Sequence, residues 1–121
     1  LHPKWFKDFT AYTISKYGMS MCVLGMSEEY KKYNIAVNAL WPRTTINTAA
    51  LNNLGGAVNP NQCRTTEILS DSAFYLLQKD SKSCTGNFFI DEEILKAEGI
   101  NDLTKYSVKK DEKLFTDLFL E

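Results

Sequence analysis

The sequence has no CxxC pair, a single histidine and no glycine-rich turn that could follow a strand and open a helix, and each absence removes a class of function. Cys22, Cys63 and Cys84 are odd in number and far apart, a spacing that suits neither a zinc site nor a thioredoxin-like redox centre. Free thiols in a reducing compartment are the expectation. His2 stands alone with no carboxylate cluster beside it, so no metal site is expected. Neither sign of charge is in excess: 14 Lys and Arg face 15 Asp and Glu, a net charge of -1. The lysines are dispersed or sit beside acids, as in Glu28, Glu29, Lys31 and Lys32. That balance excludes electrostatic capture of nucleic acid. No apolar run approaches the roughly 20 residues needed to cross a bilayer. The first residues, Leu1-His2-Pro3-Lys4-Trp5, contain no signal-peptide core. An intracellular protein without a membrane span is expected. The missing glycine-rich turn and the initial Leu lead us to expect a piece of a longer chain.

What is present is an ordinary globular composition, 44% hydrophobic and 24% charged over 121 residues, enough for one domain or part of one. A helix is expected from about Phe9 to Tyr33. Ala11, Ile14, Gly18, Met21 and Gly25 recur on one of its faces, and Tyr12, Ser15, Met19, Cys22 and Met26 form a second stripe. Glycine costs about 1 kcal/mol in a helix interior, so Gly18 and Gly25 imply a close backbone approach. Asn34 ends the helix, and Ile35 to Leu40 reads as a strand covered on both faces and closed by Trp41-Pro42.

A polar loop, Arg43 to Thr48, then leads to a short helix from Ala49 to Leu54, with Gly55 or Gly56 as its C-cap. Residues 57–63 read as a loop. Thr65 or Thr66 caps a further helix through about Gln78, with Ile68, Leu69, Ser72, Ala73, Leu76 and Leu77 inward. Cys84 to Asp91 is the second strand. With some 45 mostly helical residues between them, the two strands are expected to pair in parallel through a crossover. Residues 92–121 read as a polar extension with apolar anchors that wraps a body.

Chemistry is concentrated in Tyr12-Thr13-Ile14-Ser15-Lys16. A separation of four on a helix means about 40° of rotation and roughly 6 Å of rise, so both side chains point to one region. A phenol with a reference pKa near 10 is too weak a base at neutral pH, and a nearby cation favours its phenolate by about 1 to 3 units. The helix also holds small residues at Ser15, Gly18 and Ser20. It is followed by Val37-Asn38-Ala39-Leu40-Trp41-Pro42 and then by a Thr-rich loop.

That order resembles the short-chain dehydrogenase/reductase family, over essentially the whole chain. In the family the Tyr and Lys share a helix, the next strand ends in N-A-x-x-P-G, and the following loop holds a nicotinamide carboxamide with a hydrophobic residue and a Thr. Asn38, Ala39 and Pro42 match, and Arg43 stands where the family has Gly. Thr45, Ile46 and Thr48 lie in the loop, in a register one residue longer than P-G-x-I-x-T, so Thr45 and Ile46 both remain candidates to meet the carboxamide. Thr85-Gly86-Asn87-Phe88-Phe89-Ile90-Asp91 is close to a T-G-x-x-x-x-x-D strand of the family.

The resemblance implies an α/β fold: the C-terminal part of a Rossmann-type doubly wound parallel sheet, two parallel strands plus covering helices, with the N-terminal dinucleotide-binding half absent. It implies hydride transfer between NAD or NADP and a carbonyl or alcohol substrate. Tyr12 would be the proton donor or acceptor, and Lys16 would lower the phenol pKa and bond the nicotinamide ribose. Cofactor contacts would be Tyr12, Lys16, Pro42, Thr44, Thr45, Ile46 and Thr48. The family's substrate-polarising Ser falls at or before Leu1, and no Ser here precedes Ser15. An active parent and an inactive isolated chain are therefore expected. Leu51, Leu54 and Val58 point to an apolar small-molecule substrate. Helices of this kind pair across dimer interfaces in the family, which implies a homo-oligomer through the Tyr12 helix. The alternative is a non-enzymatic half-fold acting as an interaction or dimerisation module. Peroxisomal or mitochondrial residence is implied by the resemblance alone.

Overall fold

The structure is a computed structural model that describes residues 2–53 and 58–120. It divides into two compact units, Leu1–Ala39 with Lys79–Phe88, and Leu40–Gln78 with Phe89–Glu121.

The first unit is dominated by α1 (Thr10–Tyr30), entered from a 3-10 turn, Pro3–Trp5, whose Lys4 amide donates to His2 Nδ1 at 3.2 Å. A second 3-10 turn, Lys31–Tyr33, ends at Asn34, which adopts the left-handed conformation (φ 59°) and stops the helix where the sequence placed its end. The side of α1 that is covered differs from expectation. Thr13 and Ser27 are buried, with Tyr17, Ser20 and Val23 half-buried between them. These polar residues can go inward because each hydroxyl finds a carbonyl: Thr13 donates to Trp5 O, Ser20 to Lys16 O at 3.3 Å, and Ser27 to Leu24 O at 2.9 Å. The stripe expected to face a body is instead largely open, with Ile14 59% and Met21 61% exposed. A Cβ built on Gly18 or Gly25 would meet nothing within 4 Å among the described residues, so neither glycine makes the close approach expected of it here.

Gly86 does make one. Its φ is +75°, and an added Cβ would lie 3.1 Å from Ser27 Oγ. Gly86→Ala in the full-length protein is expected to lower stability by about 1–2 kcal/mol, chiefly through the left-handed backbone, because the Ser27 hydroxyl can rotate aside. A thermal melt checks this, and an unchanged midpoint would contradict it.

Strands β1 (Ala39–Trp41) and β2 (Phe88–Ile90) form a two-stranded sheet. Gly86 N–H donates to Val37 O at 2.8 Å and Ala39 N–H to Asn87 O at 2.9 Å, so partner numbers rise together and the pairing is parallel, as expected. The strands are shorter than their apolar runs. Val37 N–H bonds Thr85 Oγ1 at 3.0 Å, Asn38 Nδ2 bonds Cys84 O at 2.9 Å, and Asn87 N–H bonds Asn38 Oδ1 at 3.0 Å. Side chains take the ladder's place there, and the regular pattern starts only at Ala39. Trp41 belongs to the strand, and β1 is half-buried rather than covered on both faces.

In the second unit α2 (Ala49–Asn52) is capped by Thr48, whose Oγ1 accepts from Leu51 N–H. Leu54, Gly55 and Gly56, the expected end and C-cap, lie outside the described residues. A 3-10 turn at Pro60–Gln62 precedes α3 (Glu67–Leu77). On α3, Ile68 and Ser72 are buried and Leu69, Ala73 and Leu76 half-buried, as expected, while Leu77 is 85% exposed, so the inward stripe ends at Leu76. Helix α4 (Asp91–Ala97) follows β2 with no intervening residue, and packs on α3. Asp91, Glu92 and Glu93 occupy its first turn and Lys96 its last, which complements the helix dipole. Ile68, Leu95, Leu103 and Tyr106 form the core, with Ile46, Leu69, Tyr75 and Ile100 against it. Tyr106 lies in the 3-10 turn Thr104–Tyr106, and its hydroxyl donates to Asp71 at 2.6 Å. That bond and burial hold the Tyr106 phenol above its ordinary pKa, burial being the larger cause.

Candidate active site

In the first unit Tyr12 and Lys16 lie one helical turn apart on α1, and the Lys16 ammonium sits 5.4 Å from the centre of the Tyr12 ring. The two side chains share one side of the helix. Tyr12 is 49% exposed, and Lys16 is half-buried. Small hydroxyls brace the backbone of both residues: Ser15 Oγ donates to Tyr12 O at 2.6 Å, and Ser20 Oγ to Lys16 O. Tyr17 stacks on Phe6 with ring centres 6.1 Å apart, which fixes the rotation of this stretch of helix.

The loop after β1 belongs to the second unit, and its candidate residues face different surroundings. Pro42 ends the strand. Thr44 is buried, and its hydroxyl has no hydrogen-bond partner. Thr45 is also buried, with its Oγ1 3.3 Å from Cys63 Sγ. Ile46 packs on the core, and Thr48 caps α2. Of these side chains Thr44 alone carries a buried hydroxyl with unused bonding capacity, which fits a polar group such as a carboxamide.

Three strands of chain immobilise the loop. Thr44 bridges Thr116, Thr45 N–H donates to Phe115 O at 3.0 Å, and Asp117 N–H donates to Arg43 O at 3.1 Å. On the other side Arg64 N–H donates to Thr45 O at 3.0 Å and Asn47 N–H to Arg64 O at 2.8 Å. From the start of α4, Asp91 Oδ1 accepts the Arg43 amide at 2.9 Å, and Glu93 pairs with the Arg43 guanidinium. Asp91 is fully buried, and burial, the largest influence on it, raises its carboxyl pKa against the lowering effect of the Arg43 and Glu92 amides.

Sequence reasoning picked out Asp91 as a motif residue without a role, and Arg43 only as a departure from glycine. It missed Arg64, whose guanidinium is buried against Glu92 at 2.7 Å and donates to Leu103 O at 3.2 Å. A single arginine in a loop carries no signal for that. Among the described residues no group of three or more His, Cys, Asp or Glu side chains could hold a metal ion, and no helix is long and apolar enough to cross a membrane.

No protein-family model matches the chain. Among curated proteins it is similar to hydroxysteroid dehydrogenase-like protein 2 of Xenopus tropicalis, 59% identical over all of this chain, and to that of Homo sapiens, 55% identical over all of it. The chain spans 28% of the length of each. Among solved structures it is similar to a short chain dehydrogenase of Mycobacterium thermoresistibile, with a TM-score of 0.86 and 41% identity over the whole chain and 43% of that one. A structure from Xanthomonas campestris described as a dehydrogenase matches with a TM-score of 0.93 and 43% identity, over the whole chain and 44% of that one. Parallel strands, flanking helices and whole-chain identity agree: over its entire length the chain is similar to a part of short-chain dehydrogenases and of hydroxysteroid dehydrogenase-like protein 2.

Proposed function

We propose that this chain is the C-terminal half of a nicotinamide-dependent dehydrogenase domain, in which Tyr12 moves the proton that accompanies hydride transfer. The observation that carries the reading is the Lys16 ammonium 5.4 Å from the Tyr12 ring centre. A cation so placed favours the phenolate, which lets a phenol exchange a proton near neutral pH. Lys16 has a second task, donating to the nicotinamide ribose. Bound NAD or NADP supplies the hydride acceptor or donor. In the second unit Pro42, Thr44, Thr45, Ile46 and Thr48 form the cofactor loop, with the unused Thr44 hydroxyl as the side chain offered to the carboxamide. The curated relatives are named for hydroxysteroids, and an apolar alcohol or ketone is the substrate class we assign.

A second reading has one observation in its favour. Ile14, Met19, Met21 and Leu24 on α1 are each more than half exposed, a face suited to a homo-oligomer or to a module that binds without chemistry. Titration with NADH and NADPH separates the two. The full-length protein is expected to bind one of them at micromolar concentration, whereas the isolated 121 residues bind neither with useful affinity, because a dinucleotide needs the glycine-rich turn that this sequence does not contain. A full-length protein that binds neither nucleotide would favour the interaction module. Micromolar binding by the isolated chain would overturn the account of where the cofactor is held.

A further inference from the structure

Asp91 is placed where two parts of the second unit must agree. It is the first residue of α4, follows β2 directly, and has no solvent exposure. Its Oδ1 accepts two backbone amides, Arg43 at 2.9 Å and Glu92 at 2.7 Å. Its own carbonyl accepts from Ser72 Oγ at 3.2 Å, which ties the residue to α3. Oδ2 is buried with no hydrogen-bond partner. Holding a carboxylate there is costly, and the helix start does not require it: Ile90 holds the cap position with no side-chain cap bond, and within α4 the Asp91 carboxylate bonds only the adjacent Glu92 amide. The bond that reaches outside the helix is the one to Arg43, 48 residues away and one position before Thr44.

We infer that Asp91 is a positioning residue for the cofactor loop, fixing the Arg43 amide so that the buried, unpartnered Thr44 hydroxyl is presented to the nicotinamide end of the cofactor. The inference rests on the function proposed above. The backbone on either side of Arg43 is pinned independently: Asp117 bonds the Arg43 carbonyl, and β1 ends at Trp41. The peptide joining Pro42 to Arg43 has its amide orientation set by Asp91. Without that acceptor the peptide can rotate, and Thr44, one residue on, is left to the Asp117 and Thr116 contacts to hold its position.

The test uses the full-length protein and equilibrium binding of NADH and NADPH followed by fluorescence. Asp91→Ala is expected to weaken the preferred nucleotide by about tenfold or more, whereas Asp91→Asn, which keeps an oxygen acceptor for the two amides, stays within about threefold. A purely structural residue would lower the melting temperature in both variants and leave the affinity of the folded protein unchanged, and that result overturns the inference. Equal weakening in both variants overturns it too, because the acceptor would then not be what matters. Should Asp91→Ala fail to fold, amide exchange in the unmodified protein decides: the Arg43 amide is expected to be protected without cofactor, with Thr44 and its neighbours slowing further when NADH or NADPH is added. Free exchange at Arg43 overturns the assignment. A wild-type protein that binds no nucleotide would defeat the proposed function itself, which these outcomes keep distinct.

Discussion

Tyr12→Phe in the full-length protein is expected to reduce turnover by at least about 10²-fold while leaving nucleotide affinity nearly unchanged. The substitution removes one oxygen from a ring that is 49% exposed, so packing loses almost nothing and the change in rate reports the proton transfer. Lys16→Ala should behave differently. In the proposed function one ammonium serves both the phenol and the ribose, so both turnover and cofactor affinity are expected to fall. Steady-state kinetics set against equilibrium binding distinguishes the two patterns. A Tyr12→Phe enzyme with ordinary turnover sinks the catalytic assignment, whatever the fold resembles.

The largest expected loss of stability is at Arg64. Its side chain and that of Glu92 are 8% and 12% exposed, with 2.7 Å between Arg64 Nη2 and Glu92 Oε1. Arg64→Ala leaves the Glu92 carboxylate with Lys96 as its remaining ion-pair partner, at 3.0 Å, and deprives the Leu103 carbonyl of its donor. Breaking a buried pair from one side typically costs about 3–5 kcal/mol, mostly the penalty of stranding the other charge. The cost of the intact pair is also visible, since Arg64 Nε is buried without a hydrogen-bond partner. Replacing both members with apolar residues should therefore lose much less than the sum of the single losses. Chemical denaturation of the two single variants and the double variant measures this coupling. Additive losses would mean that the pair is not an energetic unit.

The Tyr12–Lys16 arrangement is legible in the sequence because an i, i+4 relation on a helix depends on helix geometry alone. Asn34 as a stop and the parallel pairing are legible for similar local or chiral reasons. The covered face of α1 is not. Ile14 and Met21 announce apolarity, but periodicity says nothing about which partner covers them, and in this chain Thr13 and Ser27 turn inward with their own carbonyl partners. Strand lengths are illegible at Val37 and Asn38 because the groups that replace the ladder, the Thr85 hydroxyl and the Asn38 amide, are side chains acting across almost 50 positions. In the candidate loop, residue types identify Thr44, Thr45, Ile46 and Thr48 together. They do not distinguish Ile46, which is committed to the core, from Thr44, which keeps a hydroxyl unspent.

The loop after β1 is bonded to residues some 70 positions further along the chain, Thr45 to Phe115 and Arg43 to Asp117. On the ribosome those partners are made about 70 residues later than the loop, an interval of roughly 4 to 14 s at ordinary elongation rates. Throughout that interval Thr45 N–H and Arg43 O must bond to water. The helix bearing Tyr12 needs no such delay, since its bonds are local and close within microseconds. Tyr12 and Lys16 can thus take their places early in the life of the nascent chain, and the loop acquires its final shape only as synthesis reaches Asp117.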